Sequence, residues 1–168
     1  MDAREFLKDW LRGAERLAVV GAGSTLRADD AAGMEVVTRL MEAYPPSAHP
    51  RLLFCPGETA PENFSGKIRA FSPTHLLVVD AANVGLAPGE IVDIPPENVG
   101  GPAFLSHMLP LKVLINYLAG DTGAKSALLG IQSQSLEFDG PMTPAVASAV
   151  DELCDALRCA IGECWEGQ

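Results

Sequence analysis

Short apolar runs and amphipathic helical stretches alternate along almost the whole chain, and that alternation leaves few folds open. Residues 3–12 place Phe6, Leu7, Trp10 and Leu11 at helical spacing. Arg16–Gly21, built around LAVV, predicts a strand. Residues 30–43 predict a helix with Met34, Val37, Leu40 and Met41 on one side, stopped by Pro45-Pro46. Arg51–Cys55 predicts a short strand, PGETAPEN a loop, and residues 62–71 a short helix closed by Ser72-Pro73. HLLVV, residues 75–79, is the clearest buried strand, with Asp80 at its end. GEIVDI, residues 89–94, predicts another strand, ended by Pro95-Pro96. An irregular loop over 100–106 leads into a helix over 108–119, with Pro110 tolerated in its first turn. Residues 126–132 predict a strand, and Thr143-Pro144 opens a last helix running to about Cys164.

The pattern implies an α/β three-layer sandwich: a mixed, mostly parallel, twisted sheet of about five strands with helices on both faces. Segment 80–88 is short for a right-handed parallel crossover, so the strands at 75–79 and 89–94 are expected to run antiparallel as a pair. A length of 168 residues predicts one domain spanning 1–168.

Charge narrows the partners. The formal net charge is −10, whereas phosphate backbones are bound by Lys and Arg, so neither nucleic acid nor an anionic membrane surface is expected. A metal cation or a basic peptide suits this field better. The first residues mix acids and bases with no continuous apolar run, and no stretch reaches the ~18 apolar residues of a membrane span, which predicts a cytoplasmic protein. Of the four cysteines, Cys55 stands alone. Cys154, Cys159 and Cys164 fall on different faces of the last helix at about 100° per residue and cannot converge on one metal. They read as buried or idle thiols of a reducing compartment.

Chemistry is expected outside the carboxyl ends of the strands, where open α/β sheets bind ligands. There the first strand runs into GAGSTLRADDAAG, residues 21–33. The Rossmann fingerprint would need glycine at Leu26, a P-loop would need Gly-Lys-Ser/Thr at its end, and Asp29 and Asp30 would repel phosphate. A nucleotide site is therefore disfavoured. Gly21 and Gly23 suit a tight turn. Asp29 reads as an N-cap or first-turn acid beside the helix dipole, a role Asn would fill as well. Asp30 is balanced between that role and a site. Asp80 either caps the turn AANVG or faces the same crevice. His49 and His75 read as incidental. His107, between the irregular loop and the next helix, is either a solvated histidine or a ligand. Taken together, Asp30, Asp80 and His107 form an oxygen/nitrogen set suited to a divalent transition metal or to carboxylate general-base work.

The chain resembles the nickel–iron hydrogenase maturation endopeptidases, in particular the branch that processes the large subunit of formate-hydrogenlyase-type hydrogenases. The resemblance rests on an ordered series: GAGSTLRADDAAG, PGETAPEN, HLLVVDAANVGLAPGEI, SHMLPL, LLGIQ and PMTPAV, over most of residues 17–150. Residues 1–15 form an additional N-terminal helical segment that the family pattern does not cover. The family commonly has Gly-Asn where Gly23-Ser24 stands, and a glycine where Ala31 follows the acid pair. The resemblance implies an α/β sandwich and removal of a C-terminal extension from a hydrogenase large-subunit precursor after nickel insertion, with cleavage following a basic residue. It implies Asp30, Asp80 and His107 as nickel-contacting residues, Asp30 and Asp80 as catalytic, and nickel supplied by the substrate and weakly bound by the isolated protein. The alternative is a non-enzymatic nickel-binding assembly factor using the same three residues.

Overall fold

The structure, a computed structural model, describes residues 1–95 and 108–165. The elements run α1 (Ala3–Trp10), β1 (Leu17–Ala22), α2 (Ala32–Ala43), β2 (Leu52–Glu58), α3 (Ser65–Phe71), β3 (His75–Ala82), β4 (Ile91–Asp93), α4 (Met108–Thr122), β5 (Lys125–Gln132) and α5 (Pro144–Trp165). Single 3₁₀ turns, Ala28–Ala31 and Pro61–Phe64, lead into α2 and α3.

The sheet has five strands in the order β2-β1-β3-β5-β4. Strands β2, β1, β3 and β5 are parallel, and β4 is an antiparallel edge. Central strands β1 and β3 are buried along their whole length, as parallel strands covered on both faces must be. Side chains alternate across the sheet with period two. Leu17, Val19, Leu77, Val79 and Leu129 enter one core with α1, α2 and α5. Ala18, Val20, Leu76, Val78 and Leu128 enter the other with α3 and α4. The expected three-layer sandwich is thus the observed one.

Three local expectations need correction. The strand at 91–93 does not pair with β3; it pairs with β5, in register Ile91↔Ile131. Both edges of β3 are taken by β1 and β5, so the returning chain can add only at the outer edge. The Gln132 carboxamide holds the crossing by accepting the N–H groups of Val84 and Leu86. The helix expected from residue 30 starts at Ala32, and its buried face uses Val36 while Met41 is exposed. Finally, β2 continues through Pro56-Gly57 to Glu58, into what the sequence suggests is loop. It is an edge strand, where a missing proline N–H is tolerated.

Strand β1 connects through α2 to β2 on one side, whereas β3 leads away towards β4 and β5 on the other. A crevice therefore opens between the carboxyl ends of β1 and β3, the switch point at which such sheets bind ligands. Helix α1 is amphipathic, capped by Asp2, which accepts the N–H groups of Arg4 and Glu5, and it packs on α5 through Leu7 and Trp10.

A carboxylate-lined candidate active site

Asp80 does not end its strand. Strand β3 continues to Ala82, and Asp80 pairs with Gly130 of β5. Pairing of β3 with β1 stops one residue earlier, at Gly21↔Val79. Asp80 thus sits where β1 peels away, and it is 4% exposed. Burial in this apolar wall pushes its carboxyl up to about 7, the nearby charge of Asp30 adds to the rise, and the Ala81 N–H opposes it.

The β1–α2 turn carries Asp30 to the same place. Its geometry demands glycine. Gly23 has φ +115°, and a Cβ there would fall 1.8 Å from the Asp30 carbonyl oxygen and 3.5 Å from Asp80 Oδ1. A Cβ on Gly33 would fall 2.2 Å from the Val79 carbonyl oxygen, so α2 lies directly on the ends of β1 and β3. The turn is fastened by the Ser24 N–H, which donates to Asp30 Oδ2 at 2.8 Å, and by Ser24 Oγ, which accepts the Leu26 N–H at 3.3 Å. Serine thus still holds the turn where the family commonly has asparagine.

Asp29 differs from the expectation. It does not cap its own helix. Its side chain is fully buried and reaches across to the β5–α5 loop. Oδ2 accepts the N–H groups of Gln134 and Ser135, both at 2.8 Å, and the Thr143 hydroxyl at 3.0 Å; Oδ1 accepts the Thr143 N–H at 2.6 Å. Its own N–H donates to the Ser135 carbonyl at 3.1 Å. Burial pushes this carboxyl up, but the four hydrogen bonds outweigh it and hold the pKa below the usual range. Asp29 is therefore an ionised bolt between two loops, and Asp30 alone of the pair faces the cleft.

The cleft occupies about 550 Å³. Asp30 and Asp80 lie within it, and Glu58 and Glu62 add two further carboxylates from the segment PGETAPEN. Glu58 has φ +49°, an uncommon conformation for a residue with a side chain, and its carbonyl accepts the Gly23 N–H at 2.9 Å. Arg27 is the cation among the described lining residues, and Leu111 and Leu136 form apolar wall. The roles of Glu58, Glu62, Arg27 and Leu136 escape sequence reasoning. The signal available for the two glutamates was a motif with two acids and no structural duty. By contrast, among the described residues that line a cavity of about 390 Å³ between His49, Leu52, Ile161 and Trp165, none is a carboxylate.

Asp30 and Asp80 are thus brought together as expected, while His107 lies outside the described residues. No group of three or more His, Cys, Asp or Glu side chains suited to a metal ion occurs among the described residues. His75 sits at the opposite end of β3, edge-on to Trp10 with ring centroids 5.0 Å apart, away from the cleft. All four cysteines are free, with Cys55 and Cys154 buried. Among the described residues no helix is long and apolar enough to cross a membrane. Chemically, a buried carboxyl that can hold or release a proton near neutrality, beside a second carboxylate, can activate water or meet a cation.

Known proteins share this fold. The family profile described as HycI, hydrogenase maturation protease, matches residues 34–158. The hydrogenase 3 maturation protease of Escherichia coli K12 is 36% identical over 146 residues, covering 86% of this chain and 87% of that protein. The crystal structure of the [NiFe] hydrogenase maturation protease HycI from Thermococcus kodakarensis superposes with a TM-score of 0.82 at 30% identity, covering 91% of this chain and 99% of that one. The hydrogenase maturating endopeptidase HybD of Escherichia coli superposes with a TM-score of 0.69 at 25% identity, covering 90% and 93%. On these matches, this chain belongs to the hydrogenase maturation protease family and is an endopeptidase of that kind.

Proposed function

We propose that the cleft removes the C-terminal extension of a nickel–iron hydrogenase large-subunit precursor in the cytoplasm, recognising nickel already seated in that substrate. The observation that carries this reading is Asp80: a carboxyl buried at the switch point, poised near neutrality, with Asp30 beside it. Asp30 and Asp80, joined by His107 as the resemblance implies, meet the substrate's nickel and so fix the tail over the cleft. The approaching cation favours ionised Asp80, which can then take a proton from the water that attacks the scissile carbonyl. The same proton passes to the departing amine as the C–N bond breaks. This is metal-assisted, aspartate-dependent hydrolysis in which the metal comes with the substrate.

Two carboxylates and an imidazole without thiolate make an open, unselective set, so the isolated protein is expected to hold nickel weakly. Glu58 and Glu62 on the cleft wall suit a basic residue beside the cleaved bond. The test is incubation with nickel-loaded precursor, read by mass. Wild type shortens the precursor; Asp30→Asn and Asp80→Asn fold and leave it intact; nickel-free precursor stays uncut. A wild-type protein that binds nickel-loaded precursor without shortening it would instead be a non-enzymatic assembly factor.

A further inference from the structure

The cleft lining follows the order of the sheet. Glu58 ends β2 and Glu62 lies in the 3₁₀ turn after it; Asp30 and Asp80 stand at β1 and β3; Leu136 lies in the loop after β5. The β1–α2 turn crosses this row. At its start the Gly23 N–H donates to the Glu58 carbonyl at 2.9 Å, on the β2 side. Further on, Arg27 forms an isolated antiparallel bridge with Phe138 of the β5–α5 loop. Asp30 and Asp80 therefore have glutamates on the β2 side and an arginine on the β5 side.

Arg27 is fastened by its backbone and free at its tip. Its N–H donates to the Ser24 carbonyl at 3.2 Å, and its carbonyl accepts the Asp30 N–H at 2.8 Å. Among the described residues its exposed guanidinium has no hydrogen bond, ion pair or aromatic contact. Most other arginines are engaged: Arg12, Arg39, Arg69 and Arg158 with carboxylates, Arg16 with the Phe71 ring. Yet Asp30, Asp80, Glu58 and Glu62 line the same cleft as Arg27. A guanidinium that pairs with none of them keeps its planar fork of donors for a carboxylate from outside. Such a group is repelled by the net charge of −10 and by the acids of the lining, and Arg27 is the described lining residue that attracts it.

We propose that Arg27 is a specificity-determining residue that binds a carboxylate of the polypeptide substrate, on the side of the cleaved bond away from Glu58 and Glu62. The inference rests on the endopeptidase reading of the cleft and names a group by which its substrate is read. Neighbouring strands lie about 4.8 Å apart, so β5 is roughly 10 Å from β1, and an extended chain covers that in about three residues. The carboxylate therefore belongs within about three residues of the cut, as an acidic side chain or as the end of the chain.

The test is steady-state cleavage of nickel-loaded precursors by wild type and Arg27→Gln, with thermal unfolding as the check on folding. Each acidic residue within about three positions of the cut is replaced in turn by its amide, and one further precursor carries an amidated C-terminus. On the unchanged precursor, Arg27→Gln is expected to raise KM about tenfold with kcat within about twofold, because a contact away from the reacting atoms is shared by ground and transition states. Arg27→Lys, which keeps the charge without the fork, falls between the two. One amide precursor gives wild type the same rise in KM and costs Arg27→Gln no more than about twofold further. An Asn or Gln precursor behaving so assigns the carboxylate to that side chain; the amidated precursor behaving so assigns it to the chain end. KM unchanged within about twofold in Arg27→Gln overturns the proposal, as does a fall in kcat alone. A rise in KM that no amide precursor reproduces also overturns it, by assigning Arg27 to the general field of the cleft. If wild type cuts nothing, the endopeptidase reading fails, and direct titration of wild type and Arg27→Gln with the same precursors still decides Arg27 by the same comparison.

Discussion

Replacing Asp29 by asparagine will destabilise the protein, although an N-cap at this position would tolerate the change. The carboxylate accepts four hydrogen bonds while fully buried, three through Oδ2 and one through Oδ1. Asparagine has one acceptor oxygen. Placed towards Gln134 and Ser135, it turns its amide donor against the Thr143 N–H, which then lies buried beside another donor. A buried unsatisfied donor costs about 1–3 kcal/mol. The other bonds survive but become neutral, and each charge-assisted bond so weakened loses roughly 0.5–1 kcal/mol. With three bonds weakened, the sum is about 2.5–6 kcal/mol. For a chain of this length each kcal/mol moves the midpoint by about 2–4 °C, so Tm should fall by roughly 5–24 °C. The pH dependence is a second signature. Because the folded pKa of Asp29 is lowered, its stabilisation is present above the unfolded value of about 3.9 and is lost as pH falls through the folded pKa. The gap between wild type and Asp29→Asn should therefore be widest near neutrality and close in acid. Denaturant and thermal unfolding followed by circular dichroism from pH 3 to 8 measure both. A gap under about 1 kcal/mol at pH 7, or one that does not narrow in acid, would refute the reasoning.

Asp80 carries the opposite sign. Its folded pKa is raised to about 7, so its favourable contribution is full below the unfolded value and is lost as pH rises through about 7. Asp80→Asn should gain on wild type as pH climbs from 4 to 8, by up to roughly 4 kcal/mol at about 1.4 kcal/mol per unit; chemical denaturation at several pH values checks this. Gly23→Ala forces a Cβ to 1.8 Å from the Asp30 carbonyl at a positive φ, and should lower stability by more than about 2 kcal/mol and abolish cleavage, read by unfolding and precursor assays. Joint replacement of Cys154, Cys159 and Cys164 by alanine should leave cleavage intact, with a loss of about 1 kcal/mol from buried Cys154 seen on unfolding.

Alternation of apolar runs with helical segments was enough to determine the layers, because a strand covered on both faces must be apolar throughout and its crossover must supply the cover. It also placed Asp30 and Asp80 at one end of the sheet, since each lies at or beyond the carboxyl end of an apolar strand run that must point the same way as its parallel neighbour. The glycine-rich turn and the ordered motifs carried the family. What local pattern could not carry was anything decided by partners distant in sequence. The edge chosen by β4 depends on which edges β1 and β5 have already taken. The extension of β3 past Asp80 depends on Gly130, far along the chain. The separation of the acid pair has the same cause: Asp29 and Asp30 look alike in sequence, and their fates diverge because Gln134, Ser135 and Thr143 converge on one of them. The burial that tunes Asp80 belongs to the packed sheet as a whole. Side-chain type and spacing determine which groups are available for chemistry; their protonation and their company are set by long-range packing, which no local window contains.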